Sequence, residues 1–426
     1  MKYEQSTFDN GLRVVSSRLT GRDSVGLAIW VRVGSRYELK RLGGISHFVE
    51  HMLFKGTKNR STKQIKEEVE GVGGVLNAFT GEESTCYFVK IPKPHLERAF
   101  DVLQDMVNHA TLKEEEFRKE KTVILEEIKM YLDLPSQYVH EIMSELLWPD
   151  QPVGRPIAGT IETVSHLSRS ELYRYVQAYY HPKNILVTVC GDIRHSEIES
   201  LTERYFNGRV KKPISKFKPA TNKSNKKESR IHFLDKKTEQ THFVIGFHGL
   251  SRNHPDRYAL SVLNIILGGN MSSRLFEEVR EKRGLAYEIK SGLSFLNDTG
   301  AISVSAGVEP KKAPLAARII MKELSRLKRK PVTVSELRRA KDYFLGQLML
   351  GLEDTLDHAL WYGERMLYGG DLPDIAEIRR QVEGVNEKDI QSLSQKFFKT
   401  DGIHLSLIGP VDSQSEIRIK SECICP

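Results

Sequence analysis

The chain has 426 residues, 39% apolar and 28% charged, with a formal net charge of +8. This composition excludes a disordered or collagen-like chain and can fill the cores of two domains. Much of the positive excess lies in the lysine-rich run at 211–227, which reads as a solvated linker because no nucleic-acid-binding motif accompanies it.

The amino terminus, MKYEQSTFDNGLRVV, has no apolar run of signal-peptide length, and no segment approaches the roughly 20 apolar residues of a membrane span. The expectation is a soluble, cytoplasmic protein whose partners include neither a membrane nor a nucleic acid. Of the four cysteines, Cys86 and Cys190 sit in apolar runs, while Cys423 and Cys425 are too close for a relaxed bridge.

Alternating apolar residues at Leu12–Val15 and Val25–Val33 predict two strands. A helix carries the stretch GGISHFVEHMLFKGT, residues 43–57. Ser61 or Thr62 caps a second helix, which the glycines at Gly71–Gly74 end. Val75–Phe79 and Thr85–Ile91 predict short strands around a polar turn. A helix over His95–His109 precedes a long one, from near Leu112 past Glu127.

The same order then returns. Thr241–Gly249 predicts a strand, Pro255–Leu267 a helix, and Ile289–Leu296 and Gly300–Gly307 two strands. Ala313–Leu327 and Val334–Leu352 predict helices. Aromatic pairs, Tyr179 with Tyr180 and Phe397 with Phe398, stand at equal distances from Gly191 and Gly409, each at the end of a strand. The pattern predicts duplication: a metal-binding domain at 1–212, a basic linker at 213–229 and a repeat at 230–426. The fold class is α+β, with two duplicated domains, each an antiparallel sheet with helices packed on one face.

His47 and His51, four apart on a helix, present their rings on one face. Two imidazoles can hold one metal ion, for which zinc is the best match, and Glu50 on the same side can take a proton from a water the metal activates. Chance supplies this pattern about 0.06 times in a chain of this composition, a low figure that the surroundings of the motif reinforce. Phe48, Val49, Met52, Leu53 and Phe54 make the helix largely buried, and buried imidazoles and a carboxylate call for a partner. A third ligand is needed. Glu120 and Glu127, seven apart, share one face of the long helix, and Glu126 points elsewhere.

These residues resemble the inverzincins, the M16 or pitrilysin-type metallopeptidases, whose H-x-x-E-H order inverts the commoner zincin motif. The resemblance is to the short, M16B-like members, among them the mitochondrial processing peptidases. It implies a zinc metalloendopeptidase with His47, His51 and Glu127 as ligands, Glu50 as the base and Glu120 as an assisting catalytic acid. NAFT at 77–80 is similar to the family's substrate-facing edge strand, so Asn77, Ala78 and Phe79 are expected to bind an extended peptide through its backbone. PVGRPIAGT and YYHPKN also look like family segments. RLFEEVREKRGLAYEIKS is similar to the carboxy-terminal signature, in which Arg280 and Tyr287 bind substrate and steady the oxyanion.

In the second half Leu260, Leu263, Asn264 and Gln347 stand where the metal motif has its working residues, so the copies divide the labour. The resemblance also implies a homodimer enclosing a chamber for peptides or unfolded protein segments, with Arg280 and Tyr287 serving the partner's zinc site. Glu141 matches one acid with which processing peptidases hold a substrate arginine, but Gln137 replaces another. The alternative is a non-catalytic structural subunit of a homologous complex.

Overall fold

Six strands build the first sheet of the computed structural model, which describes residues 3–206, 216–222, 230–368, 374–410 and 412–424. They are β1 (Glu4–Thr7), β2 (Arg13–Arg18), β3 (Ser24–Val31), β4 (Val75–Thr80), β5 (Thr85–Pro92) and β6 (Ile185–Gly191), in the order β1-β2-β6-β3-β5-β4. The second sheet holds β7 (Ile231–Asp235), β8 (Thr241–His248), β9 (Ala286–Phe295), β10 (Gly300–Val308) and β11 (His404–Gly409), in the order β7-β11-β8-β10-β9. Setting β1 aside, the two sheets have one topology, in which the last strand of each half returns between its first and second. Duplication and the α+β class are therefore as expected. The sheets are not wholly antiparallel, however, because each returning strand runs parallel to the first, β6 with β2 and β11 with β7.

The first half contributes α1 (Ile45–Leu53), α2 (Thr62–Glu70), α3 (Leu96–His109), α4 (Glu114–Asp133), α5 (Pro135–Leu147), α6 (Ile161–His166), α7 (Arg169–Tyr179) and α8 (His195–Tyr205). The second contributes α9 (Arg257–Leu267), α10 (Ala313–Arg329), α11 (Val334–Gly351), α12 (Thr355–Met366), α13 (Ile375–Gly384), α14 (Glu387–Phe397) and α15 (Ser413–Ile424).

Two compact units emerge, and neither is a contiguous half. The first joins Met1–Lys129, Arg155–Lys218 and Met349–Asp374; the second joins Met130–Gly154, Pro219–Leu348 and Ile375–Pro426. Each half thus lends a helix to the other unit, α12 to the first and α5 to the second. This corrects the division at 1–212 and 230–426 and the packing of helices on one face only. The expected linker at 213–229 lies mostly outside the described residues.

The reason for the exchange is visible in β3. Alternate residues of a strand face opposite sides, yet Val25–Val31 is buried throughout. Residues of one parity, Ala28 and Trp30, pack with Ala359, Tyr362 and Met366 of α12. The other parity faces the side on which α3 packs. A face so apolar must be covered, and α12 covers it. Glycines permit the close fit: a Cβ on Gly363 would fall 1.8 Å from Nε1 of Trp30, and one on Gly26 2.5 Å from Cα of Leu356. In the second unit, Val139, Ile142 and Met143 of α5 pack with Val244 and Ile408, and Phe247 meets Phe398 on the other face of β8.

Among the described residues, no helix is long and apolar enough to cross a membrane. Cys86, Cys190 and Cys423 are buried free thiols.

Candidate metal centre

The nine residues of α1 divide by face. Ile45, Ser46, Phe48, Val49, Met52 and Leu53 are buried, leaving His47, Glu50 and His51 half-buried together on the remaining face. The sequence suggested a largely buried helix with buried imidazoles; the partial exposure observed for these three leaves the rings approachable by a ligand. Phe48 stacks on Phe117 of α4, with ring centroids 4.9 Å apart and planes within 5°. This contact registers α1 against the helix that carries Glu120 and Glu127.

His47, His51 and Glu127 each offer a ligand atom within 4.8 Å of the others, the one such group among the described residues. Nε2 of His47 lies 3.7 Å from one Glu127 oxygen, and Nε2 of His51 3.6 Å from the other. These separations are too long for hydrogen bonds. They resemble the roughly 3.3–3.6 Å between neighbouring ligands of a tetrahedral zinc with bonds of about 2.0–2.2 Å. Burial, with His51 beside it, lowers the pKa of His47 to about 4, so its imidazole is neutral and able to coordinate at neutral pH. The site thus fits a zinc ion in donor type and spacing, and His47 fits it in protonation as well. Glu126 turns outward to Lys129, which separates it from the site as expected.

Glu120 stands behind His51 and accepts from its Nδ1 at 2.9 Å when that nitrogen carries the proton. This leaves Nε2 free as a ligand atom, the usual arrangement of a carboxylate behind a metal-binding histidine. Lys55 holds the other Glu120 oxygen at 2.7 Å. Burial alone would raise Glu120, but the hydrogen bonds from His51 and Lys55 prevail and lower its pKa. Burial likewise opposes the charged form of His51, yet Glu120 and the nearby carboxylates outweigh it and raise its pKa. Sequence reasoning missed Lys55; its signal was its place one turn after His51.

Glu50 accepts a 2.5 Å hydrogen bond from the hydroxyl of Thr80. Burial raises its pKa, the Thr80 bond and His51 counter this, and Glu127 adds to the rise. A carboxylate shifted upward in this way is better able to take and return a proton near neutrality. Thr80 ends β4, and β4 is an edge strand of the sheet, bonded among the described residues only to β5. Asn77 and Phe79 are exposed, Ala78 is half-buried, and the Phe79 ring meets Trp30 edge-on at 5.5 Å. An open strand edge therefore ends beside Glu50. Thr80 closed the NAFT stretch, but its role was legible only from the hairpin.

The loop after α1 is tied down by Asp105, which accepts from Thr57, Asn59 and Arg60 at 2.6, 2.7 and 3.0 Å. In the second unit, Arg280 lies in the last turn of the π-helical segment Phe276–Glu281 and donates to the Tyr287 carbonyl at 2.8 Å. Its guanidinium lies 4.9 Å from the centre of the Tyr287 ring, and Tyr287 is 79% exposed on β9. Leu260 and Leu263 are core residues of α9.

A duplicated α+β fold in which two imidazoles and a carboxylate converge beside a second carboxylate, Glu50, has the design of a metallopeptidase. The family profile described as "Insulinase (Peptidase family M16)" matches residues 13–161, and "Peptidase M16 inactive domain" matches residues 166–344. The chain is 38% identical over 407 residues to "Uncharacterized zinc protease YmxG" of Bacillus subtilis, covering 95% of this chain and 97% of that one. It is 35% identical over 419 residues to "Uncharacterized zinc protease SCO5738" of Streptomyces coelicolor, covering 97% and 91%. The crystal structure of a protease from Helicobacter pylori superposes with a TM-score of 0.90 at 26% identity, covering 96% of this chain and 99% of that one. The chain belongs to peptidase family M16.

Proposed function

We propose that the chain is a zinc-dependent endopeptidase that hydrolyses extended peptides or unfolded polypeptide segments. The observation that carries this reading is the convergence of His47, His51 and Glu127 next to a Glu50 that is bonded to the end of an open strand edge. The ligand set His47, His51 and Glu127 would hold the zinc, which when bound supplies Lewis acidity toward the scissile carbonyl and the attacking water.

The chain's own residues do the rest. The β4 edge takes the substrate as an added strand, so affinity comes mainly from backbone hydrogen bonds and alternate substrate side chains face opposite sides. Glu50 accepts the proton of the attacking water and returns it to the departing amine. Glu120 keeps the proton of His51 on Nδ1 and so acts as a positioning residue. Arg280 and Tyr287 stabilise the oxyanion of the tetrahedral intermediate. We place them in the zinc site of a partner chain, in a homodimer whose four domains enclose a chamber.

The reading as a non-catalytic subunit has less support, since the three ligands, the base and the Arg280–Tyr287 pair are all present. The deciding experiment is zinc content per chain, together with mass spectrometry of an unfolded protein library incubated with and without chelator. Stoichiometric zinc and chelator-sensitive internal cleavage are expected. A chain that binds no zinc, or binds it and cuts nothing, overturns the proposal.

A further inference from the structure

Between β3 and α1 the chain makes a tight turn, Gly34–Glu38, that grips two different parts of the site. Toward the edge strand it holds residues 81–84, the turn joining β4 to β5. Ser35 N–H donates to the Gly81 carbonyl at 3.2 Å and Arg36 N–H to the Glu82 carbonyl at 2.9 Å. The Arg36 guanidinium pairs with Glu83 at 2.7 Å, and the two side chains are only 0% and 3% exposed. Gly34 is required by the closeness of approach, since a Cβ there would sit 2.2 Å from the Gly81 oxygen. The clamp therefore fixes the end of β4, where Thr80 meets Glu50.

Toward the metal helix the same turn presents Glu38, 4% exposed. The first residue before α1 is Gly44, at φ +89°, and no side chain of its own caps the helix. The first N–H groups of a helix lack partners within it. Glu38 takes two of those at the start of α1, Gly44 N–H at 2.9 Å and Ser46 N–H at 2.8 Å, one on each oxygen. A carboxylate there is also favoured by the helix dipole. Ser46 is held in addition by the Tyr175 hydroxyl at 2.7 Å, and Arg155 donates to the Glu38 carbonyl at 3.0 Å. His47 follows Ser46 directly, so a shift in this first turn moves a ligand.

We infer that the Gly34–Glu38 turn sets the distance between bound peptide and metal, with Arg36 positioning the edge strand and Glu38 positioning the metal helix. The inference rests on the peptidase reading above. Neither residue touches the reacting atoms, so each acts through another group. Glutamine at position 38 keeps one acceptor but turns an amide N–H₂ toward a backbone N–H, so it cannot hold both amides.

The test uses the full chain, with Glu38→Gln, Arg36→Lys and, as a stability control, Ile198→Ala in the buried face of α8. Zinc affinity is measured by competition with a chromophoric chelator, and kcat and KM with a quenched-fluorescence unfolded peptide, per folded molecule. Glu38→Gln is expected to weaken zinc binding and lower kcat, each about tenfold, with KM unchanged. Arg36→Lys is expected to raise KM about fivefold with zinc affinity unchanged. Ile198→Ala is expected to lower Tm and leave all three constants alone. Wild-type constants in Glu38→Gln, or the same changes in Ile198→Ala, overturn the inference. If Glu38→Gln does not fold, Glu38→Asp must move zinc affinity and kcat in the same direction; failure of both to fold assigns Glu38 to the fold alone and also overturns it. A wild-type chain that neither binds zinc nor cleaves defeats the peptidase reading itself, whereas an active wild type with unaltered variants defeats this inference alone.

Discussion

Nε2 of His51 on α1 and Oε2 of Glu127 on α4 stand 3.6 Å apart without bonding to each other. A ring nitrogen of His47 completes the cluster, with the three ligand atoms within 4.8 Å of one another. Glu127→Gln preserves volume and removes the anionic donor. It is expected to weaken zinc binding by more than about 100-fold, beyond the roughly 10–100-fold typical of outer partners. A chelator-competition titration checks this, and wild-type affinity in the variant would move the third ligand elsewhere.

Glu50 has its own partner in Thr80, so its loss is expected to spare the metal. Glu50→Gln is predicted to keep stoichiometric zinc and to lose about 10³-fold in kcat. Thr80→Val tests the same contact through pH. The Thr80 hydroxyl stabilises the ionised carboxylate and partly counters the rise caused by burial. Its removal is therefore expected to raise the Glu50 pKa further and to move the acid limb of the kcat/KM profile to higher pH. An unmoved limb assigns that limb to another group.

The strands and helices that line the site were legible in the sequence, because period and capping decide them locally. Ser61 caps α2 through a capping box with Gln64, and β4 and β5 lie where the alternation placed them. The three ligands were legible only in part. The spacing of His47 and His51 is a helical property, but the choice of Glu127 over Glu120 depends on the tertiary contact of Phe48 with Phe117. The exchange of α5 and α12 left no local trace, since an amphipathic helix does not record which sheet it covers. Glu38 was illegible for a similar reason: a lone glutamate in a loop looks solvated until the helix it caps is in place.

Arg280 and Tyr287 adjoin each other in the second unit, and the proposal places them in the partner's site. Subunit mixing tests this without a structure of the dimer. Glu50→Gln and Tyr287→Phe chains are each expected to be nearly inactive. If Tyr287 acts on the partner, mixed dimers contain one site with an intact Glu50 and an intact Tyr287, and activity returns on mixing. If Tyr287 acts within its own chain, every site in the mixed dimer lacks one group and no activity returns. Recovery in an exchange-and-assay experiment is the expected result.

Glu38 carries a further consequence, in stability. Burial raises its pKa to about 7, against the hydrogen bonds of Ser46 and Gly44 and the charge of Arg155, which lower it. Tyr175 and Tyr179 on α7 are raised by burial and, beyond that, by the charge of Glu38, and stay neutral from pH 5 to 8. The folded chain therefore holds a proton on Glu38 between about 4.5 and about 7, where the unfolded chain has lost it. The stability this confers is full below the unfolded pKa and is lost as pH rises through about 7, an effect of about 2–3 kcal/mol between pH 5 and 8. Glu38→Gln does not titrate. Urea unfolding of both proteins from pH 5 to 8 is expected to show the variant gaining on the wild type by about that amount as pH rises. A constant difference would mean that Glu38 titrates as a solvated carboxyl. The ionised form, which can hold both amides of α1, is the one that stabilises the fold least, so alignment of the metal helix and stability of the chain are set against each other at this one carboxylate.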